Sequence, residues 1–202
     1  MTDLPPHPAA RPSAAISPRQ IVDWLVSDAP RLEMGAFVDG LGWRMRGAGV
    51  PLDRLMISLR MLSPNLLAAG ITWRPYDPIS YFSFDYADRD KGIYESSPFK
   101  VVHETNAWLE LDLSKTPDER FAIIPDLKKE GMCHYLVVPM WFSAGLPNSL
   151  SFATKDPAGF SASDRELIRA ILPALANVLE IKRRRSWRAS STAARSRAST
   201  RR

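Results

Sequence analysis

The sequence predicts an α+β fold, an antiparallel sheet with flanking helices, on three observations. Apolar residues alternate along paired segments, as in strands that bury one face. Three patterns of Ser or Thr followed three residues later by Gln or Glu mark helix starts outside those segments. Consecutive hairpins with helices gathered at one side give an antiparallel sheet rather than a parallel one.

The elements follow in order. Ser17-Pro18-Arg19-Gln20 supplies an N-cap serine, a proline at the first helical position and a capping-box glutamine. The short helix they open carries Ile21, Trp24 and Leu25 on one face. A second helix is expected over about Leu32 to Arg46, with Met34, Phe37, Val38, Leu41 and Met45 at helical spacing, ended by Gly47 and Gly49. Leu52 to Leu62 alternates as a strand, placing Leu55, Ile57, Leu59 and Met61 on one side. After the Pro64-Asn65 turn, Leu66 to Tyr76 is its antiparallel partner. Ile79 to Tyr94 is a weak strand and a long acidic loop. A helix starts at Ser97-Pro98 and runs to about Asn106, and Trp108 to Leu113 is a short strand. Thr116 to Glu119 reads as a second capping box, whose helix turns Phe121, Ile124 and Leu127 inward; Pro125 kinks or divides it. Cys133 to Phe142 and Asn148 to Thr154 form a second hairpin. Ser163 to Glu166 reads as a third capping box, opening a helix with the stripe Leu167, Ile168, Ile171, Leu172, Leu175 and Leu179, bent at Pro173.

Charge divides the chain. It has 27 basic and 22 acidic residues, but the last 21 residues, Lys182 to Arg202, hold nine of the bases and no acid. The body is therefore slightly acidic and offers no general polyanion surface; attraction to nucleic acid belongs to the tail. Residues 1–16, rich in Pro and Ala, are expected to be a disordered arm, and residues 182–202 a disordered basic tail dispensable for folding. The longest apolar run, Tyr135 to Phe142, is too short to span a bilayer. A single cysteine, Cys133, excludes an intrachain disulfide and fits a cytoplasmic location.

Four blocks carry a family resemblance: GAGVPLDRLMISLRMLSPN (Gly47 to Asn65), ESSPFK (Glu95 to Lys100), KEGMCHYLVVPMWFSAG (Lys129 to Gly145) and LSFATKDPAGFSASD (Leu150 to Asp164). In this order they resemble the N-terminal GAF-like regulatory region that precedes the catalytic domain in a group of bacterial class III adenylate cyclases. The resemblance covers roughly Gln20 to Glu180 and implies a GAF/PAS-like layout over residues 17–181, acting as a sensory module. Where it leads one to expect Leu-His-Pro, this chain has Leu62-Ser63-Pro64. After Glu180 nothing resembles a cyclase catalytic domain, so no cyclase activity is expected.

The chemistry in the body is sparse. Asp85, Asp88 and Asp90 could converge on a hard cation, but no glycine supplies a calcium-loop turn and Arg89 interrupts them. They read as a solvated loop, and no metal or cofactor is expected. No phosphate loop, GxSxG or zinc-spaced Cys/His set occurs. Cys133-His134 resembles the Cys-His pair by which some GAF domains hold a bilin. On a strand, however, the two side chains would point to opposite faces. Cys133 is expected to be a buried thiol, packed as a small hydrophobe.

A small-molecule ligand, if one binds, is expected beneath the sheet near Trp73, His103 and Tyr135. These lie on the second strand, the third helix and the first strand of the second hairpin. Leu172, Leu175 and Leu179 are expected to pair the last helix with a second copy.

Overall fold

The computed structural model describes residues 16–61, 66–85, 92–143, 145 and 147–199, with the backbone alone for 66, 67, 85 and 186–199. The Ser17 capping box forms as the sequence predicts: Gln20 N donates to Ser17 Oγ at 3.3 Å, and Ser17 N donates to Gln20 Oε1 at 2.8 Å. Helix α1 (Pro18–Ser27) buries Ile21, Trp24 and Leu25. A 3₁₀ turn (Ala29–Arg31) leads into α2 (Met34–Gly47). The chain then forms β1 (Arg54–Arg60), β2 (Leu66–Trp73), β3 (Ser80–Asp85), α3 (Pro98–Thr105) and β4 (Leu109–Asp112). A 3₁₀ turn (Asp118–Arg120) precedes α4 (Ile124–Lys129), β5 (His134–Trp141), β6 (Pro147–Thr154) and α5 (Ala162–Ser199).

The six strands form one antiparallel sheet in the order β3-β2-β1-β6-β5-β4, so the first and last hairpins lie side by side. Register fixes what each face carries, because alternate side chains point to opposite faces. On one face Leu55, Ile57, Ile71, Leu136, Val138, Leu150 and Phe152 pack against α1, α2 and α5 in the main core. On the other face the central strands carry small residues: Ser58 opposite Gly70, Met56 opposite Ser151 and Ser58 opposite Ser149. A second core, with Val102, Leu111, Ile124, Leu127, Tyr135 and Val137, packs α3 and α4 over part of that face.

The structure therefore corrects the expectation that helices gather at one side: they cover both faces. Two capping boxes are also corrected. Thr116 Oγ1 donates to Asp112 O instead of capping, and Pro125 sits in the first turn of α4, dividing the expected helix. At α5 the reciprocal pair is Ser161 and Asp164: Ser161 N donates to Asp164 Oδ2 at 2.7 Å and Asp164 N to Ser161 Oγ at 3.2 Å.

The last helix differs most from expectation. It continues to Ser199, where a disordered tail was expected from Lys182. Lys182 and Arg183 are buried. Lys182 Nζ reaches Leu32 O. The Arg183 guanidinium covers the Phe142 ring at 4.5 Å and donates to Arg60 O at 3.2 Å. Arg184 pairs with Glu180 at 2.6 Å, and Arg185 donates to Pro30 O at 2.7 Å. Arginine and lysine stems cover apolar surface while their heads find carbonyls; composition alone hides this. The dimer stripe is corrected on the same ground. Leu175 and Leu179 are fully buried in the chain's own core, with Leu172 packed against it, so this stripe is not free to meet a second copy.

The expected arm of residues 1–16 lies outside the described residues save Ile16, whose N–H donates to Gly47 O at 3.0 Å. Asp88 and Asp90 and the Pro64-Asn65 turn lie outside them too, as does the side chain of Asp85. Among the described residues no group of three or more His, Cys, Asp or Glu is placed to hold a metal ion. Nor is any described helix long and apolar enough to cross a membrane.

Candidate functional site

The small-residue face of the sheet leaves a cavity of about 400 Å³ between β1, β2, the segment entering α3, and α3 itself. Its wall is mostly apolar, with Met56, Ala68, Phe84, Ile93, Phe99 and Ile123 contributing. The reason is local. β1 alternates large residues toward the main core with Met56, Ser58 and Arg60 toward the cavity, while Ala68 and Gly70 sit opposite Arg60 and Ser58 on β2.

Two of the three residues predicted for a ligand site line this cavity, and the third does not. His103 and Tyr135 are on its wall. Trp73 is paired with Leu55 and so points to the opposite face. It is fully buried in the main core, edge-on to Trp43 at 5.6 Å, and its Nε1–H donates to Asp39 Oδ1 at 2.8 Å. Strand parity decides the matter: an odd-numbered residue of this segment cannot share the cavity face with Ala68.

His103 is held on both ring nitrogens. Nε2 lies 3.3 Å from Asn148 O and 2.7 Å from Ser149 Oγ, and Nδ1 lies 3.0 Å from Tyr94 Oη. A carbonyl oxygen can only accept, so the partners assign the proton to Nε2, and Nδ1 accepts from the Tyr94 hydroxyl. Burial lowers the His103 pKa, opposed by its bond to Asn148 O and aided by the positive charge of Arg60. Burial raises the Tyr94 phenol, with Arg60 pulling it down. Both groups are therefore neutral near pH 7.

Tyr135, on the wall, is buried; burial pushes its phenol up, while Ser151 and Arg54 pull it back. Those contacts fall short of good hydrogen bonds. Among the described residues, Ser151 Oγ and Arg54 Nε and Nη1 have no hydrogen-bond partner, and the Glu130 carboxylate stands 4.0 Å from Arg54 Nε.

Cys133 and His134 do not line the cavity. Cys133 is half-buried, not buried as expected, and its S–H donates to Lys155 O at 3.3 Å. His134 packs against Gly159, where an added Cβ would stand 2.5 Å from Nδ1.

Solved structures resemble this chain over most of its length. The phycocyanobilin-bound GAF domain of a cyanobacterial phytochrome aligns with a TM-score of 0.57 at 14% identity, covering 84% of this chain and 97% of that one. The GAF domain of a phosphoenolpyruvate-protein phosphotransferase from Coxiella burnetii aligns with a TM-score of 0.57 at 13% identity, covering 84% and 96%. The fold is a GAF fold. An N-acylhomoserine lactone dependent LuxR-family transcription factor from Burkholderia cenocepacia aligns less closely, with a TM-score of 0.51 at 12% identity over 81% and 93%. No protein-family model matches the chain, and no curated protein matches it.

Sequence reasoning missed Met56, Ser58, Arg60 and Tyr94 on the wall of this GAF cavity. A signal for the first three was present. In Leu55-Met56-Ile57-Ser58-Leu59-Arg60 one set of alternate residues is uniformly large and apolar, and the other is mixed. A strand with one face filled and the other mixed borders two different environments.

Proposed function

We propose that this chain is a regulatory domain that binds a small molecule in the cavity between β1, β2 and α3, and that it carries out no chemistry itself. One observation carries the reading: an apolar cavity of about 400 Å³ whose neutral polar groups are already oriented by one another. That size falls among ligand pockets, roughly 300–1,000 Å³. A GAF domain of similar fold is bound to phycocyanobilin, and a LuxR-family factor of similar fold depends on N-acylhomoserine lactone. Such different ligands suit a fold that supplies the space while its wall does the selecting.

The finer reading is a regulatory region of the kind that precedes the catalytic domain of bacterial class III adenylate cyclases. The four ordered sequence blocks support it, and the first three contribute residues to the cavity wall. The first contains β1, the second opens α3, the third contains β5, and the fourth runs from within β6 to the start of α5.

A neutral solvatochromic dye such as Nile red tests the cavity. Saturable one-to-one binding is expected, lost in Ala68→Phe, whose ring would fill the cavity from β2. Absence of saturable binding, or unchanged binding by a folded Ala68→Phe protein, overturns the reading.

A further inference from the structure

Resting on the reading of the cavity as a ligand site, we propose that its ligand is an apolar monoanion: a hydrocarbon or aryl body in the cavity, with a carboxylate held by Arg60 and the Ser58 hydroxyl. Most polar side chains of the wall are engaged by the protein itself. His103 is engaged on both nitrogens and Tyr94 donates to it. Ser96 Oγ donates to Gly92 O, and Ser97 Oγ to Tyr94 O. Asn148 Oδ1 accepts from Arg60 N. Glu95, the wall's carboxylate, is bound by Lys100. Tyr135 is buried, with its phenol beside Arg54 and Ser151.

Two polar side chains of the wall remain that are neither engaged nor buried. Neither the Arg60 guanidinium nor the Ser58 hydroxyl makes a hydrogen bond or ion pair among the described residues, and both line the cavity. They stand two residues apart on β1, hence on one face and about 7 Å apart along the strand. Arginine's planar fork suits a carboxylate, and a hydroxyl can donate to the same anion. Arg60 is exposed, which sets it at the mouth of the cavity, with the apolar wall of Met56, Ala68 and Phe84 behind it. A cation at the mouth of an otherwise neutral apolar cavity selects a molecule with one charged end. Glu95 does not cancel this charge, since Lys100 neutralises it.

Competition against Nile red at pH 7.5 is the test, with hexanoate, octanoate, octanol and methyl octanoate as competitors below their micellar range. Octanoate is expected to displace the dye at least about tenfold more effectively than octanol or the ester, from one charge-assisted contact. Octanoate should also exceed hexanoate by about fourfold per methylene. In Arg60→Gln the preference for the carboxylate over octanol, each measured against that variant's own dye affinity, should vanish. Arg60→Lys should retain most of the preference, and Ser58→Ala should lose a few-fold. The Arg60 carbonyl that accepts from Arg183 is backbone, so Arg60→Gln leaves that contact in place. If the wild-type protein binds the dye but does not discriminate carboxylate from alcohol, the anion proposal is wrong and the cavity reading survives. The same holds if Arg60→Gln keeps the discrimination. If the wild-type protein does not bind the dye at all, both fail.

Discussion

At the scale of single residues, α2 packs on Trp73 with no room for a side chain at Gly42. A Cβ added at Gly42 would stand 2.5 Å from two ring atoms of Trp73. That ring cannot yield easily, being pinned by Asp39 and wedged against Trp43. Replacing a helical glycine by alanine gains about 1 kcal/mol of propensity, whereas overpacking a rigid site costs about 1–3 kcal/mol. The steric cost should win for Gly42→Ala, lowering the melting temperature by several degrees. Gly35→Ala is the matched control. Its nearest obstacle is the Tyr81 hydroxyl at 2.8 Å, at the end of an exposed side chain that can swing away. Gly35→Ala should melt at or above the wild-type temperature. Equal melting of the two variants would mean that Trp73 relaxes freely. Trp73 also shows why the candidate site was only half legible. Its aromatic character and place on β2 are plain in the sequence, but its face depends on where β2 registers against β1. The register lies in the pairing of Leu55 with Trp73, which no local pattern states.

At the scale of elements, what the sequence made plain was whatever is encoded within a few residues. The Ser17 box, the Ser97-Pro98 start of α3, and the dividing effect of Pro125 all depend on short-range geometry. The start of α5 was ambiguous because Ser161, Ser163, Asp164 and Glu166 offer overlapping boxes. Ser161 and Asp164 make the reciprocal bonds. The continuation of α5 was not legible, since Lys182 to Arg185 look like solvated charge until the rest of the fold offers carbonyls and rings. This changes the expected behaviour of truncations. Ending the chain after Ile181 removes the contacts of Lys182, Arg183, Arg184 and Arg185 and leaves Glu180 without its cation. Such a protein should lose about 2 kcal/mol or more of stability. Ending it after Arg185 should leave the melting temperature unchanged within a degree or so. That shorter deletion still removes five of the tail's nine positive charges, so salt-sensitive retention on heparin should fall. A chain ending at Ile181 that melts with the full chain would show the α5 contacts to be stabilising nothing.

At the scale of the whole molecule, the two sides of the sheet are built differently, and acidic groups clasp their edges. The face under α1, α2 and α5 is filled, while the face partly covered by α3 and α4 holds the cavity. Glu180, on α5, accepts from Ser143 N at 2.9 Å, from Ser143 Oγ at 2.5 Å and from Arg184 at 2.6 Å, tying the last helix to the end of β5. Burial alone would raise its pKa, but the Ser143 bonds and the Arg184 charge outweigh that and hold it at about 2. Glu130 forks onto Arg74 at 2.6 and 2.9 Å and faces Arg54, which joins the end of α4 to β2 and β1; the Arg74 bonds lower its pKa despite burial. Both carboxyls titrate lower in the folded than in the unfolded chain, whose ordinary glutamate value is 4.5. The folded state therefore binds fewer protons than the unfolded state in this range, and stability falls as protons are added. The contribution of these clasps is fully present above pH 4.5 and is lost as the pH drops through the folded value, near 2 for Glu180. His103 adds to the acid limb in the same sense: held neutral by burial, it must charge as the pH falls below its ordinary value of 6.5, which favours the unfolded chain. Melting temperature should accordingly decline below about pH 6 and steepen between pH 4.5 and 2. Glu180→Gln should lower the melting temperature at pH 7 and flatten the steep part, because the neutral amide keeps some hydrogen bonding to Ser143 but has no proton to take up. A wild-type melting temperature constant from pH 6 to pH 3, or a Glu180→Gln curve parallel to the wild type throughout, would show that these clasps do not hold the sheet to its helices.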